Sequence, residues 1–222
     1  MKRCNTGIKN LDAMVGGGFP CGSIIGIAGP PGTGKTNLSL QFLMEGAKKG
    51  EKGYYITLQE PVSNLEKAYA SMSWGKEFET LRKKGKIVLK HLPYADFEGN
   101  LDAIVDEVLA DTKAHRIVID SLDGLIEFMK ERKRGVRAVL DPLFVRLRRD
   151  DLTTVVVLEG SGENGPSSVE KFLVDGVVSL DLLSWGELER RVFIPKMRWT
   201  AQYESSVGYK ITNKGIEVDK PE

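Results

Sequence analysis

Cysteine and histidine are both scarce in this chain, with two of each in 222 residues. Cys4 and Cys21 lack metal-ligand spacing, and two cysteines make no disulfide framework, so reduced thiols in a cytoplasmic protein are expected. His91 and His115 belong to no metal-binding or catalytic cluster. Long apolar runs are missing as well: none approaches the roughly 18 residues that a membrane-spanning helix needs. The opening MKRCNTGIKNLDAM lacks the apolar stretch of a signal peptide. Net charge is nearly absent at +1, which argues against affinity resting mainly on a nucleic-acid backbone, though a local basic patch survives such averaging. No internal repeat, low-complexity segment or Pro/Gly/Ser linker divides the sequence, so residues 1–222 are read as one domain.

What is present describes a folded, soluble chain, with 41% hydrophobic and 28% charged residues. Short apolar runs alternate with amphipathic stretches. SIIGIA (23–28), YYITL (54–58), IVLKHL (87–92), RIVID (116–120) and TTVVVL (153–158) read as strands. Leu40, Leu43, Met44 and Ala47 place a helix over 36–49, with Gly50 suited to its C-cap. Val62, Leu65, Tyr69 and Met72 mark a second helix after Pro61. A third is expected from Asn100 as cap, and a fourth along Val136–Leu147 that kinks or restarts at Pro142. Beyond residue 175 the pattern changes to GVVSLDLL, ELERRVFIPKM and the turn TNKG (212–215). The fold class is therefore α/β: a mostly parallel sheet flanked by helices, with a C-terminal antiparallel β extension.

Residues 29–36, GPPGTGKT, follow the first long strand and open the first long helix, the context a phosphate-binding loop requires. Gly29, Gly32 and Gly34 tolerate backbone angles that turn successive N–H groups inward, with Pro30, Pro31 and Thr33 between them. Lys35 is placed to reach the β- and γ-phosphates, and Thr36 to put its hydroxyl on Mg²⁺. Asn37 follows in the first helical turn, where the positive helix end favours anions. Asp120 closes an apolar strand at the sheet edge where ligands of open α/β sheets bind, and is assigned to the Mg²⁺ shell beside Thr36. Asp123 reads as a turn or cap residue. ATP and Mg are the cofactors expected.

Two strand–helix units separate the phosphate loop from RIVID. With TGIKNLDAMVGGGFPCGSIIGIAGPPGTGKT, YYITLQEPVSNLEKAYASMSWG, RIVIDSLDGL, SSVEKFLVDGVVSLDL and PKMRWTAQYESSVGYKITNKGIEV, the chain resembles the RecA-like ATPases and, within them, the KaiC-like proteins of bacteria and archaea. The resemblance implies a RecA-like P-loop core and three further roles. Members end the second strand with two acidic residues, the first acting as base toward the attacking water; here the pair is Gln59–Glu60. The fifth strand, lying between those of the P-loop and Asp120, ends in a sensor region, here VLEGSG with Glu159. A Lys-x-Arg pair on a late strand, here Lys196 and Arg198, reaches the γ-phosphate held by a neighbouring subunit. A homo-oligomer with nucleotide between subunits is thus expected, as a filament or a ring such as a hexamer.

Read from the residues alone, Lys196 and Arg198 on a strand share one face and can clamp a polyphosphate, or simply protect a solvated edge. A positioned base contributes about 10²–10⁴-fold to rate, and glutamine orients water without accepting its proton. Glu60 is favoured as substitute base if Pro61 re-aims it; Glu159 is the other candidate. Alternatively Glu60 caps the following helix. The expected activity is slow hydrolysis whose nucleotide state switches an oligomer. The alternatives are an ATP-held scaffold without hydrolysis, or a DNA-binding recombinase relative, supported only by KERKRGVR (130–137) and not favoured. Ser205 and Ser206 carry no mark of phosphoacceptors. Trp74, Trp185 and Trp199 are read as core or interface anchors, with base stacking by Trp199 as an alternative. No residue names a protein client.

Overall fold

The computed structural model describes residues 1–93, 97–131, 133, 135–160, 173–185 and 187–221. Strands β1 (Arg3–Cys4) and β2 (Phe19–Pro20) form a small antiparallel pair around helix α1 (Lys9–Met14). The core then alternates: β3 (Ile24–Gly29), α2 (Lys35–Lys48), β4 (Lys52–Thr57), α3 (Val62–Ala70), α4 (Gly75–Lys83), β5 (Ile87–His91), α5 (Phe97–Ala110) and β6 (Ala114–Asp120). It continues through α6 (Leu122–Glu131), α7 (Val136–Leu147) and β7 (Thr153–Glu159) into β8 (Gly176–Trp185), β9 (Glu187–Met197), β10 (Val207–Thr212) and β11 (Gly215–Val218).

One sheet of nine strands runs in the order β11-β10-β9-β8-β3-β7-β6-β4-β5. The six strands from β8 to β5 are parallel, and β9, β10 and β11 extend that sheet antiparallel. The α/β architecture expected from alternating apolar runs is present, and β7 lies between β3 and β6 as the family resemblance implied. Alternation along β3 divides the interior. Ile25 and Ile27 face a core with Leu38, Phe42, Tyr55 and Val155, whereas Ile24 and Ala28 face one with Ile56, Ile119, Phe144 and Val156. Each fully buried Ile or Phe contributes roughly 1.5–3 kcal/mol, and burial on both faces explains why these strands read as unbroken apolar runs.

Several boundaries differ from the sequence reading. β4 ends at Thr57, so Leu58, Gln59 and Glu60 form a bend instead of continuing the strand. α4 was not expected, because only Phe78 and Leu81 interrupt its polar residues; Phe78 stacks on Tyr69 at 4.5 Å between ring centres. α6 was also missed, its start lying inside a segment read as a turn. Asn100 lies within α5 and does not cap it. α7 runs through Pro142 without restarting, since packing of Leu140, Leu143, Phe144 and Leu147 offsets one lost backbone bond. Arg132 and Arg134 of the basic run, and most of the segment joining Glu159 to β8, lie outside the described residues. Among the described residues no helix is long and apolar enough to cross a membrane.

Candidate functional site

β3 is where the sheet's connections diverge, β7 on one side and β8 on the other, and the crevice at the C-terminal end of such a strand is where ligands bind. The phosphate loop occupies that place. Gly29 ends β3 paired with Glu159 of β7, and a Cβ on Gly29 would run into the Leu180 carbonyl and come within 2.8 Å of the Thr33 hydroxyl. Pro30 through Gly34 form the turn, with Gly32 at φ 83° and Gly34 at φ 88°, both in the left-handed region that glycine adopts without strain. Gly34 is the N-cap of α2 and no side chain caps that end, so the first-turn amides, including those of Lys35, Thr36 and Asn37, form an anion-binding helix start.

Two residues brace the loop. The Thr33 hydroxyl donates to the Pro30 carbonyl at 2.8 Å, and the Tyr209 hydroxyl of β10 donates to the Thr33 carbonyl at 2.8 Å. Lys35 folds over the loop and donates to the carbonyls of Gly29 at 2.7 Å and Pro30 at 3.2 Å. Burial lowers the pKa of its ammonium, while the charges of Glu159, Asp120 and Asp123 pull it upward. The lysine is thus held at the loop by neutral carbonyl acceptors, with the charges of three carboxylates acting on it.

The structure brings Thr36 and Asp120 together: the Thr36 hydroxyl lies 3.4 Å from Oδ2 of Asp120. Tyr55, fully buried on β4, donates to the same carboxylate oxygen. Burial raises the Asp120 pKa; Tyr55, Lys35 and Thr36 draw it back, and Glu60 adds a smaller push upward. Oxygen ligands at adjacent corners of an octahedral Mg²⁺ shell stand about 2.9 Å apart, given bonds of ~2.05 Å. The Thr36–Asp120 pair stands about 0.5 Å wider than that edge, close enough for a small side-chain adjustment to hold a magnesium completed by water and substrate phosphates. Among the described residues no group of three or more His, Cys, Asp or Glu could hold a metal alone, and nucleotide-bound Mg²⁺ does not need one.

The polar pair beyond β4 sits at the same edge. The Thr57 hydroxyl donates to the Glu60 carbonyl at 2.7 Å and receives the Glu60 N–H at 3.2 Å, closing the bend. Strand alternation therefore does not govern where Glu60 points, and both Gln59 and Glu60 are exposed. The reading of Glu60 as a helix cap is not met: Pro61 is the N-cap of α3 and no side-chain cap bond is made. Glu159 is exposed at the end of β7, and its N–H donates to Oδ2 of Asp123 at 2.7 Å. Asp123 thus ties β7 to the first turn of α6 beside Asp120, a role its turn-like sequence context did not suggest.

Lys196 and Arg198 lie elsewhere. Lys196 is on β9 opposite Val177, and Arg198 falls in the turn just past the strand, so a shared strand face does not describe them. The Arg198 N–H bonds to the Asp175 carbonyl at 3.0 Å, beside the start of β3. Some 16 Å of strand, five residues at ~3.3 Å each, separates that level from Gly29. Trp199 follows with φ 58° and is 60% exposed, so it is not a core anchor. Trp74 is half-buried against Phe78 and donates to the Lys214 carbonyl, while the Trp185 side chain lies outside the described residues.

The chain and its fold have counterparts among known proteins. The family model described as ATPase: KaiC matches residues 4–222. A UPF0273 protein of Thermotoga maritima is 32% identical over 98% of this chain and 96% of its own length. The circadian clock oscillator protein KaiC of Parathermosynechococcus lividus is 32% identical over 96% of the chain, which spans only 41% of that longer protein. Among solved structures, a KaiC-like protein of the hyperthermophilic archaeon Pyrococcus horikoshii matches with a TM-score of 0.85 and 33% identity, over 98% of this chain and 99% of its own. The chain belongs to the KaiC-like family of ATPases.

Proposed function

We propose that this chain is a slow Mg-dependent ATPase that binds ATP between copies of itself, the nucleotide state setting how the copies assemble. The observation that carries the reading is the Thr36–Asp120 pair at 3.4 Å beneath a glycine-turned loop whose lysine is already folded inward. A bound Mg²⁺ would supply positive charge that offsets the charge of the phosphates. Thr36 and Asp120 would hold its shell, Tyr55 would fix the Asp120 carboxylate, and the loop amides with Lys35 would cradle the phosphates. Gln59 would orient the attacking water, and Glu60 would accept its proton.

The two edges of the sheet support such an assembly. Glu60, Asp120, Asp123 and Glu159 gather at the C-terminal edge, whereas Lys196 and Arg198 stand at the opposite one. The cations lie too far from their own loop to complete it, but a head-to-tail neighbour can present them to the next copy's nucleotide, and such a contact builds rings or filaments. Cations supplied across an interface stabilise the charge that develops in phosphoryl transfer.

Steady-state phosphate release with Mg·ATP tests the chemistry. Wild type should turn over slowly, Lys35→Ala should neither bind nor hydrolyse, and Glu60→Ala should bind ATP yet lose about 10²–10⁴-fold in rate. Gln59→Glu should accelerate turnover. The second reading, a scaffold held together by ATP without hydrolysis, draws on the glutamine at position 59. A wild type that binds ATP without turnover, and gains it only in Gln59→Glu, would establish that reading instead.

A further inference from the structure

Two arginines bond one buried carboxylate, with Lys196 held on the adjoining backbone, at the edge of the sheet away from the phosphate loop. Asp175 immediately precedes β8 and is 2% exposed. Its Oδ2 accepts the N–H of Ile24 at 3.0 Å, and its own N–H returns a bond to the Ile24 carbonyl at 2.8 Å. Oδ1 accepts from two arginines, Nη1 of Arg198 at 3.2 Å and Nη2 of Arg148 at 3.4 Å. The neighbouring carbonyls are engaged in the same way: Lys196 donates to Val174 at 2.6 Å and Arg148 to Leu173 at 2.6 Å.

We propose that Asp175 is a positioning residue that presents Arg198 and a further cation, Arg148, beside Lys196 to the phosphates of a nucleotide bound by the adjacent copy. The proposal rests on the reading above, in which Lys196 and Arg198 act across an interface, and it adds Arg148 and the carboxylate that orders the set. A lone arginine at a solvent edge keeps rotamer entropy that binding must remove. Here that ordering precedes the nucleotide, because both guanidinium groups are anchored to a carboxylate that is itself fixed by the backbone of β3. A buried carboxylate requires such partners, and its full set of bonds leaves it little freedom to move.

The cations still face an incoming anion. The arginine side chains remain 36% exposed at Arg148 and 48% at Arg198. Burial lowers the Lys196 pKa, and the charges of Arg198 and Arg148 lower it further against the pull of Asp175, so this is a cluster that an arriving phosphate would relieve. Ile24 begins the strand that ends at Gly29, so one carboxylate connects a protomer's own phosphate loop with the cations it offers to its neighbour.

Subunit mixing tests this without requiring hydrolysis. The probe is mant-ATP, a fluorescent ATP analogue, with Mg²⁺. Asp175→Asn, Arg148→Met and Arg198→Ala are each measured alone and after 1:1 mixing with Lys35→Ala, the proteins being combined before nucleotide is added. Lys35→Ala lacks its own site but still offers intact cations. Alone, each of the three variants should bind at least about 10-fold more weakly, as loss of charged hydrogen bonds predicts. Mixing should return wild-type affinity to about half of their sites, through random assortment around a closed or open assembly.

Rescue of Arg198→Ala without rescue of Asp175→Asn and Arg148→Met would overturn the proposal while leaving the action across the interface intact. Failure to rescue Arg198→Ala would overturn both. Should the melting curve show that Asp175→Asn does not fold, Arg148→Met decides: unchanged affinity in that variant refutes the three-cation set.

Discussion

Tyr55 donates its hydroxyl hydrogen to Oδ2 of Asp120, the oxygen that the Thr36 hydroxyl also faces. The tyrosine is fully buried on β4, and the neighbouring carboxylate and burial both hold its own pKa well above the usual phenol value, burial being the larger cause. It therefore stays a donor at any physiological pH and keeps the carboxylate aimed at the loop. Tyr55→Phe should weaken Mg·ATP binding by about 10-fold, the worth of a hydrogen bond to a charged group, while ATP binding in EDTA stays unchanged. Calorimetric titration with and without Mg²⁺ reads both.

Asp120 carries a cost in the empty protein. Its raised pKa means that the fold disfavours the carboxylate form, so the folded state binds more protons than the unfolded chain between the ordinary value of 3.8 and the raised one. The contribution of this group to stability should therefore fall as pH rises through that window. Asp120→Asn removes the charge and keeps the shape, so the nucleotide-free variant should melt higher than wild type at neutral pH. Wild type with Mg·ATP at a hundredfold excess over Kd gains about 2.7 kcal/mol, or ~5–11 °C in Tm, and the variant should lose most of that gain.

The phosphate loop leans on the C-terminal hairpin. A Cβ on Gly34 would come within 2.9 Å of Ile211 and 3.2 Å of Ile216, at a φ of 88° that L residues rarely adopt. Gly34→Ala should cost roughly 1–2 kcal/mol from the backbone conformation alone and displace the hairpin besides. Tyr209→Phe removes only the bond to the Thr33 carbonyl and should cost about 1 kcal/mol while retaining the fold. Thermal melts and mant-ATP affinities of the two variants separate a shifted loop from a merely loosened one.

Arg116 holds the other end of β6. Its side chain is 1% exposed, donating to Glu51 at 2.6 Å and to the carbonyls of Asn5 and Phe42 at 2.7 and 2.6 Å, with its guanidinium 4.6 Å from the Phe42 ring centre. Arg116→Met should destabilise the protein by about 3–5 kcal/mol, because three acceptors lose one donor group. A drop in Tm of ~6–20 °C checks this.

What the sequence made legible was local. The phosphate loop is a strand end, a glycine-rich turn and a helix start within nine residues, and Asp120 closes its own apolar run, so both announced themselves. Tyr55 reads only as a strand residue, and nothing near it in sequence points to Asp120, 65 positions away. Tyr209 bonds to a residue 176 positions distant, and Asp175 gathers Arg148 from 27 positions before it and Arg198 from 23 after it. Such pairings are set by sheet order, which periodicity does not encode. The helices that were missed, α4 and α6, are those whose apolar stripe is thin or whose first turn looks like a loop. The bend at Leu58–Glu60 is closed by one hydroxyl, that of Thr57, a contact that the apolar pattern does not announce.

The most direct measurement is sedimentation velocity of the purified chain without nucleotide, with ATP in EDTA and with Mg·ATP, run beside Lys35→Ala and Arg198→Ala. If the nucleotide lies between copies, wild type should shift to a larger species with Mg·ATP, Lys35→Ala should not shift, and Arg198→Ala should shift only at higher nucleotide concentration. A wild type that binds Mg·ATP at full stoichiometry while its sedimentation coefficient stays the same would contradict the account.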